Sequence, residues 1–265
     1  MTATVLPPLA TLAQRRFRLT ARTPRELLVP LVTPVLFALV IAPALEEALH
    51  TGTAYESFVA TGTIGLLIPL NTMFSGLSVI VDRESGAQRE LLAAPVARAV
   101  LVLANLAVVL AVTGLQVAVL IGCAVARGIH FHVTGTGLAW FVAAGLLFTA
   151  GMAGVAETLA SRVPRAEEYI ARVPAIAIVP WFLAGSLFPI AALPSFLTWV
   201  ARFLPLTHAL ALIRYGLLGD SSGLHGIWQG SNVTAMAGGS LAVVALFAAL
   251  LTAVSVRVFK RAALR

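Results

Sequence analysis

Apolar stretches long enough to cross a bilayer recur along this chain, and the charged residues gather in the short segments between them. A spanning helix needs about 20 consecutive apolar residues. Segments 58–80, 99–126, 136–158 and 233–256 each meet that requirement. Composition agrees: 59% of the residues are hydrophobic and 11% are charged, where soluble domains carry about a quarter charged. There is too little charge to cover a water-facing surface. A soluble enzyme is excluded, and an all-α membrane protein with one domain over residues 1–265 is expected.

Two further spans are expected where the apolar runs are shorter or interrupted, at 26–45 and at 173–187, which makes six. Ahead of the first, residues 5–23 carry Leu6, Leu9, Ala13 and Phe17 at helical spacing, with Arg15, Arg16, Arg18 and Arg22 between them. This pattern predicts an amphipathic helix lying in the interface plane. Arg15-Arg16 before an apolar run, with Ala42-Pro43-Ala44 after it, also fits a twin-Arg signal with a cleavage site. Pro43 in the middle of that triplet, and the later spans, argue against it. Glu46 to Glu56, Arg127 to Thr134 and Asp220 to Asn232 read as loops.

Orientation follows from the basic residues. With both termini cytoplasmic, only Arg127, Arg202 and Arg214 of the 18 Lys and Arg residues fall on the outside. That is the positive-inside pattern, and it places the chain as a multi-pass protein of the plasma membrane. The same distribution assigns the net charge of +7 to membrane orientation, with no nucleic-acid partner. The single cysteine, Cys123, sits in an apolar run and has no internal disulfide partner.

Several chemistries are missing. The one lysine, Lys260, has no glycine loop before it, so no P-loop can form and this chain alone has no route to cradle ATP phosphates. No catalytic cluster stands out, and Asn71, Asn105 and Gln116 do not make one. His130 and His132 without a carboxylate form a weak metal pair, so no metal site is expected. Glu157 reads as the solvated end of a helix.

Two segments carry the specific information. The first, 82–98, joins two spans on the cytoplasmic side and holds Asp82, Arg83, Glu84, Gly86 and Arg89. Ala87, Leu91 and Ala94 share a helical face before Pro95 ends it. It predicts a short helix beneath the membrane, a docking surface for a soluble partner. The second, 188–219, is apolar but broken by Pro189, Pro194 and Pro205, after Gly185 and Phe188 and ahead of Thr207 and Arg214. Irregular backbone at membrane depth survives only where it is buried in protein or lines a cavity. A re-entrant helical pair near the outer surface meets that condition. Arg214 within it either snorkels to the outer interface, binds carbonyls freed around Pro205, or meets an anionic group at the exit.

These two segments resemble the type-2 ABC transporter permeases, the membrane subunits of daunorubicin-type and multidrug efflux systems. The resemblance rests on Asp82-Arg83-Glu84, Gly86, Leu91 and Pro95. It rests also on Leu183, Gly185, Phe188-Pro189, Leu193-Pro194, Pro205-Leu206-Thr207 and Arg214, and on the basic helix leading to Pro30 and Pro34. Many members carry Glu three residues after the glycine, where this chain has Arg89 and then Glu90. The resemblance implies an exporter of drugs, lipids or other amphipaths. It implies two permeases, as a homo- or heterodimer, working with two cytosolic ATPase subunits that bind ATP and Mg, while this chain binds no cofactor. Segment 82–98 would then be the ATPase-coupling helix, and the re-entrant pair would lie at the substrate exit. A glycan exporter of the same fold, a secondary transporter and a membrane-embedded enzyme are the other classes open to a sequence of this kind.

Overall fold

The computed structural model describes residues 6–22, 24–41, 43–44, 47, 53–87 and 97–262. Among the described residues every regular element is a helix. Helix α1 is Leu6–Arg22, and α2 is Pro24–Leu36, running on as a π-helical turn over Phe37–Ile41. Then come α3 (Thr53–Glu84), α4 (Arg98–Ala126), α5 (Gly135–Ala160) and α6 (Ala166–Leu183). A 3-10 turn over Ile190–Ala192 leads to α7 (Ser195–Phe203), α8 (Pro205–Leu218), α9 (Ser222–Trp228) and α10 (Val233–Ala262).

Among the described residues four helices are long and apolar enough to cross a membrane: Tyr55–Glu84, Ala99–Ala126, Gly135–Ala160 and Val233–Val258. The bent pair α7–α8 makes a fifth if it is taken as one span. The expected spans 26–45 and 173–187 do not reach the same standard. Leu28–Ile41 is a shorter apolar helix, and α6 opens on Glu167 and Glu168 and contains Pro174 and Pro180.

Helix α3 is the axis of the bundle. Every residue from Val59 to Met73 is buried, because no charge interrupts the run and its glycines let neighbours approach. Ile64, Leu67 and Ile68 pack with Phe148 of α5, Tyr169 and Trp181 of α6, and Leu210 of α8. Two aromatic donors of α6 reach the α3 backbone: Tyr169 Oη donates to Met73 O at 2.7 Å and Trp181 Nε1 to Gly62 O at 2.8 Å. A buried phenol or indole keeps its hydrogen bond this way without water.

Helices α5, α8 and α10 close the bundle through glycine contacts. A Cβ on Gly137 would lie 2.6 Å from Gly216 O, and one on Gly216 would lie 2.5 Å from Gly137 O. A Cβ on Gly154 of α5 would lie 2.6 Å from Leu251 C in α10. Small residues at such crossings let backbones touch, the usual packing device of apolar helices in lipid.

The chain turns by 81° between α7 and α8. Pro205 stands at the first helical position of α8, where a missing N–H leaves nothing unpaired. Leu204 N donates to Ala201 O at 3.1 Å, which closes α7. The expected loop 220–232 is partly helical: Leu224 and Ile227 of α9 are buried beside Ile190 and Leu212.

Candidate functional sites

At one end of α3 the acidic-Arg-Glu run behaves differently from its expected place. Asp82, Arg83 and Glu84 are the last turn of α3 itself, not the start of a separate helix, because no breaker precedes Ser85 and Gly86. Gly86 has a φ of +79°, and among the described residues nothing lies within 4 Å of where its Cβ would be. The glycine serves the left-handed turn, which an L side chain would strain. Arg89, Leu91 and Pro95 lie outside the described residues.

Arg83 folds back onto its own chain. Its guanidinium donates to Ala160 O at 3.0 Å, Val163 O at 2.8 Å and Pro164 O at 3.0 Å. These carbonyls end α5 and begin the connection to α6, where helical partners run out. Asp82 takes Arg16 of α1 at 2.7 Å, with the two side chains only 10% and 19% exposed. Arg16 thus leaves the exposed arginine row of α1 formed by Arg15, Arg18 and Arg22. Glu84 is exposed.

Behind this ion pair lies a cavity of about 50 Å³ with both polar and apolar walls, room for one or two waters at about 30 Å³ each. Asn71, Ser75 and Ser78 of α3, Asn105 of α4, Glu157 of α5 and Arg16 and Thr20 of α1 line it. Glu157 is not left to solvent. One carboxylate oxygen accepts from Asn105 Nδ2 at 3.4 Å and the other from Ser255 Oγ of α10. Asn71 Nδ2 donates to Thr113 Oγ1 at 2.6 Å. Asn71 and Asn105 line the same small cavity. The readable signal was the spacing of Asn71, Ser75 and Ser78, which puts all three on one face of α3. Among the described residues no group of three or more His, Cys, Asp or Glu could hold a metal.

Arg214 occupies the other end of α3, which is roughly 37 Å away at 1.5 Å per residue from Phe58 to Arg83. It is 4% exposed, so it does not snorkel. Nη1 donates to Gly185 O at 2.8 Å, and Nη2 donates to Ser186 O at 2.9 Å and Phe58 O at 3.3 Å. Nε donates to Thr61 Oγ1 at 3.3 Å, and the guanidinium carbon sits 3.4 Å from the centre of the Phe58 ring. The carbonyls it serves are those of Gly185 and Ser186, beyond the end of α6, rather than any around Pro205. Gly185 turns the chain there at φ +80°, which strands both carbonyls. Gly62 completes the arrangement, since a Cβ there would fall on Ser186 O. One planar fork therefore joins α3, the α6 exit and α8.

The other expected outer residues frame this centre. Pro189 leads into the 3-10 turn and Pro194 into α7. Phe188 is 37% exposed. Thr207 is buried and its hydroxyl has no hydrogen-bond partner among the described residues.

The chain's relatives fit this architecture. The ABC-2 type transporter family model matches residues 8–218. The chain belongs to the ABC-2 type transporter family. The match runs from α1 to the end of α8 and takes in both ends of α3. A protein of Porphyra purpurea named as a transport permease, ycf38, is 24% identical over 216 residues, covering 80% of this chain and 74% of that protein. With its apolar helices, this ABC-2 type chain is a multi-pass membrane protein and a transport permease.

Proposed function

We propose that the chain is the membrane-spanning subunit of an ATP-driven exporter, moving a drug, lipid or other amphipath outward across the plasma membrane. The observation that carries this reading is the family match over residues 8–218. Members of that family usually work with an ATPase subunit. In this reading two ATPase subunits bind ATP and Mg, two permeases pair as a homo- or heterodimer, and segment 82–98 receives the ATPase motion. Six spans with both termini cytoplasmic follow if α2 and its π turn, and α6, also cross. Helix α1 then lies in the interface, and α7–α8 is a re-entrant pair at the exit. An apolar cavity of about 270 Å³ lined by Ile64, Leu110, Val117, Phe141 and Leu146 among others supports an amphipathic substrate over a glycan.

The test is co-purification and reconstitution with a cytosolic ABC ATPase. The chain alone is expected to hydrolyse no ATP, and the pair to show transport coupled to hydrolysis. Leu91→Asp is expected to loosen the complex or separate hydrolysis from transport while leaving membrane insertion intact. An apolar anchor of this size contributes about 1.5–3 kcal/mol when fully buried. Unchanged coupling in that variant would make the segment a passive linker.

Topology has its own measurement. On a Cys123→Ala background, His225→Cys is expected to react with an impermeant thiol reagent from outside, and Arg165→Cys only after the membrane is opened. Both positions are exposed. The reverse pattern would invert the orientation.

A further inference from the structure

Helix α7 carries its polar side chains inward and its apolar ones outward. Beyond Ser195 it has two polar side chains, and both serve the protein. Thr198 Oγ1 donates to Ile190 O and Leu193 O, each at 3.0 Å, and Arg202 Nε donates to Gly226 O of α9 at 3.2 Å. Phe196, Trp199 and Phe203 are instead 71%, 61% and 66% exposed. Spacings of three and four residues put them on one face of the helix, and the Trp199 and Phe203 ring centres are 4.7 Å apart. That face carries no charge. An apolar patch of this kind, left to water, is uncommon on a stable surface and marks a contact. The 81° turn between α7 and α8 also sets α7 across the direction of α8, which is packed inside the bundle.

The other exposed aromatics show which partner fits. Among the described residues seven aromatic side chains are exposed, and all but Phe17 gather at the Arg214 end. Phe182 and Phe188 flank Gly185, whose carbonyl Arg214 holds. Trp228 follows closely on Gly226, which lines one cavity of about 230 Å³ with Gly185 and Arg214. These rings come from three separate pieces of chain: the end of α6 with its exit, α7, and α9. A second copy of the chain would cover one patch, whereas a lipid interface runs round the molecule and collects aromatic side chains at its own depth. Trp199 adds an N–H for a lipid ester carbonyl or water.

We propose that α7 is an interfacial anchor: its Phe196, Trp199 and Phe203 face lies in the plane of the membrane, seated among lipids where head groups meet acyl chains. The anchor rests on the reading of α7–α8 as a re-entrant pair and deepens it. Transport and ATPase coupling play no part in its test.

The test compares the full chain with its Trp199→Phe variant, each reconstituted in phosphatidylcholine vesicles, so that the difference in tryptophan emission belongs to Trp199. Phenylalanine keeps an aromatic ring on an exposed face, and matching size-exclusion profiles check that both chains fold alike. Brominated phosphatidylcholines quench a tryptophan that they touch, and carry the bromine either close to the head group or near the chain end. The Trp199 emission is expected to be lost chiefly to the shallow bromine. Loss chiefly to the deep bromine would place α7 inside the hydrocarbon and overturn both the anchor and the re-entrant reading. No loss to either bromine would overturn the anchor alone. Aqueous iodide then separates a ring left in water, which it quenches, from one covered by a second copy of the chain, which it does not.

Discussion

Replacing Arg214 is expected to cost the protein more than any other single polar change among the described residues. Arg214→Gln strands the carbonyls of Gly185 and Ser186 that the guanidinium now serves, while Phe58 O keeps the Thr61 hydroxyl at 2.9 Å. Each unpaired buried group costs about 1–3 kcal/mol, so the expected loss is on the order of 3 kcal/mol or more. In a chain of this size that lowers the unfolding temperature by about 6–12 °C. Arg214→Lys keeps the charge but not the planar fork, and a single ammonium is not able to span three elements at once. It is expected to recover only part of the loss. The measurement is thermal unfolding in detergent with size-exclusion profiles. A lysine variant as stable as the native chain would show that the charge alone matters at this position.

The second large effect is expected where α5 meets α8. Ala is the better helix former, by about 1 kcal/mol over Gly. Even so, Gly137→Ala and Gly216→Ala are expected to destabilise, because the methyl group would meet the partner's backbone carbonyl at 2.6 and 2.5 Å. A side chain swings aside at small cost, but a backbone does not. Overpacking of this kind costs about 1–3 kcal/mol. The double variant is expected to lose less than the sum of its parts, since the first substitution already parts the helices. Gly238→Ala is the control: it is on the exposed side of α10 with nothing within 4 Å of the added carbon, and is expected to gain stability. A loss at Gly238 matching that at Gly216 would mean that the crossing is not what the glycines protect.

How much of this was legible in the sequence depended on whether a signal was local. Helices α3, α4, α5 and α10 were readable because a long apolar run carries its own evidence. Prolines 189, 194 and 205 marked the broken outer segment for a similar reason: each alters the backbone where it stands. The tail of α3 was misjudged because charge at Asp82 resembled a boundary, although only Gly86 has the left-handed conformation that ends the helix. Helix α9 was hidden by its glycine and serine content, its two buried residues Leu224 and Ile227 being too few to set a period. The sites were less readable still. Arg214 was identifiable as an oddity, but its acceptors lie 28, 29 and 156 residues away in sequence. Glu157 looked solvated because Asn105 and Ser255, which bond it, arrive from two other helices.

The pairing of Arg16 with Asp82 sets an order of assembly. The two residues are 66 positions apart, and ribosomes add about 5–20 residues per second. Helix α1 is therefore complete roughly 3–13 s before its anchor exists. During that interval Asp82 is not yet there to answer the Arg16 charge, so the contact that ties α1 to the end of α3 forms only after α3 has been made. Its final seat becomes available only when the end of α3 emerges. An arginine near the start of the chain thus acts as a checkpoint on insertion: α1 docks there only when α3 has been delivered with its Asp82 end on the same side of the membrane.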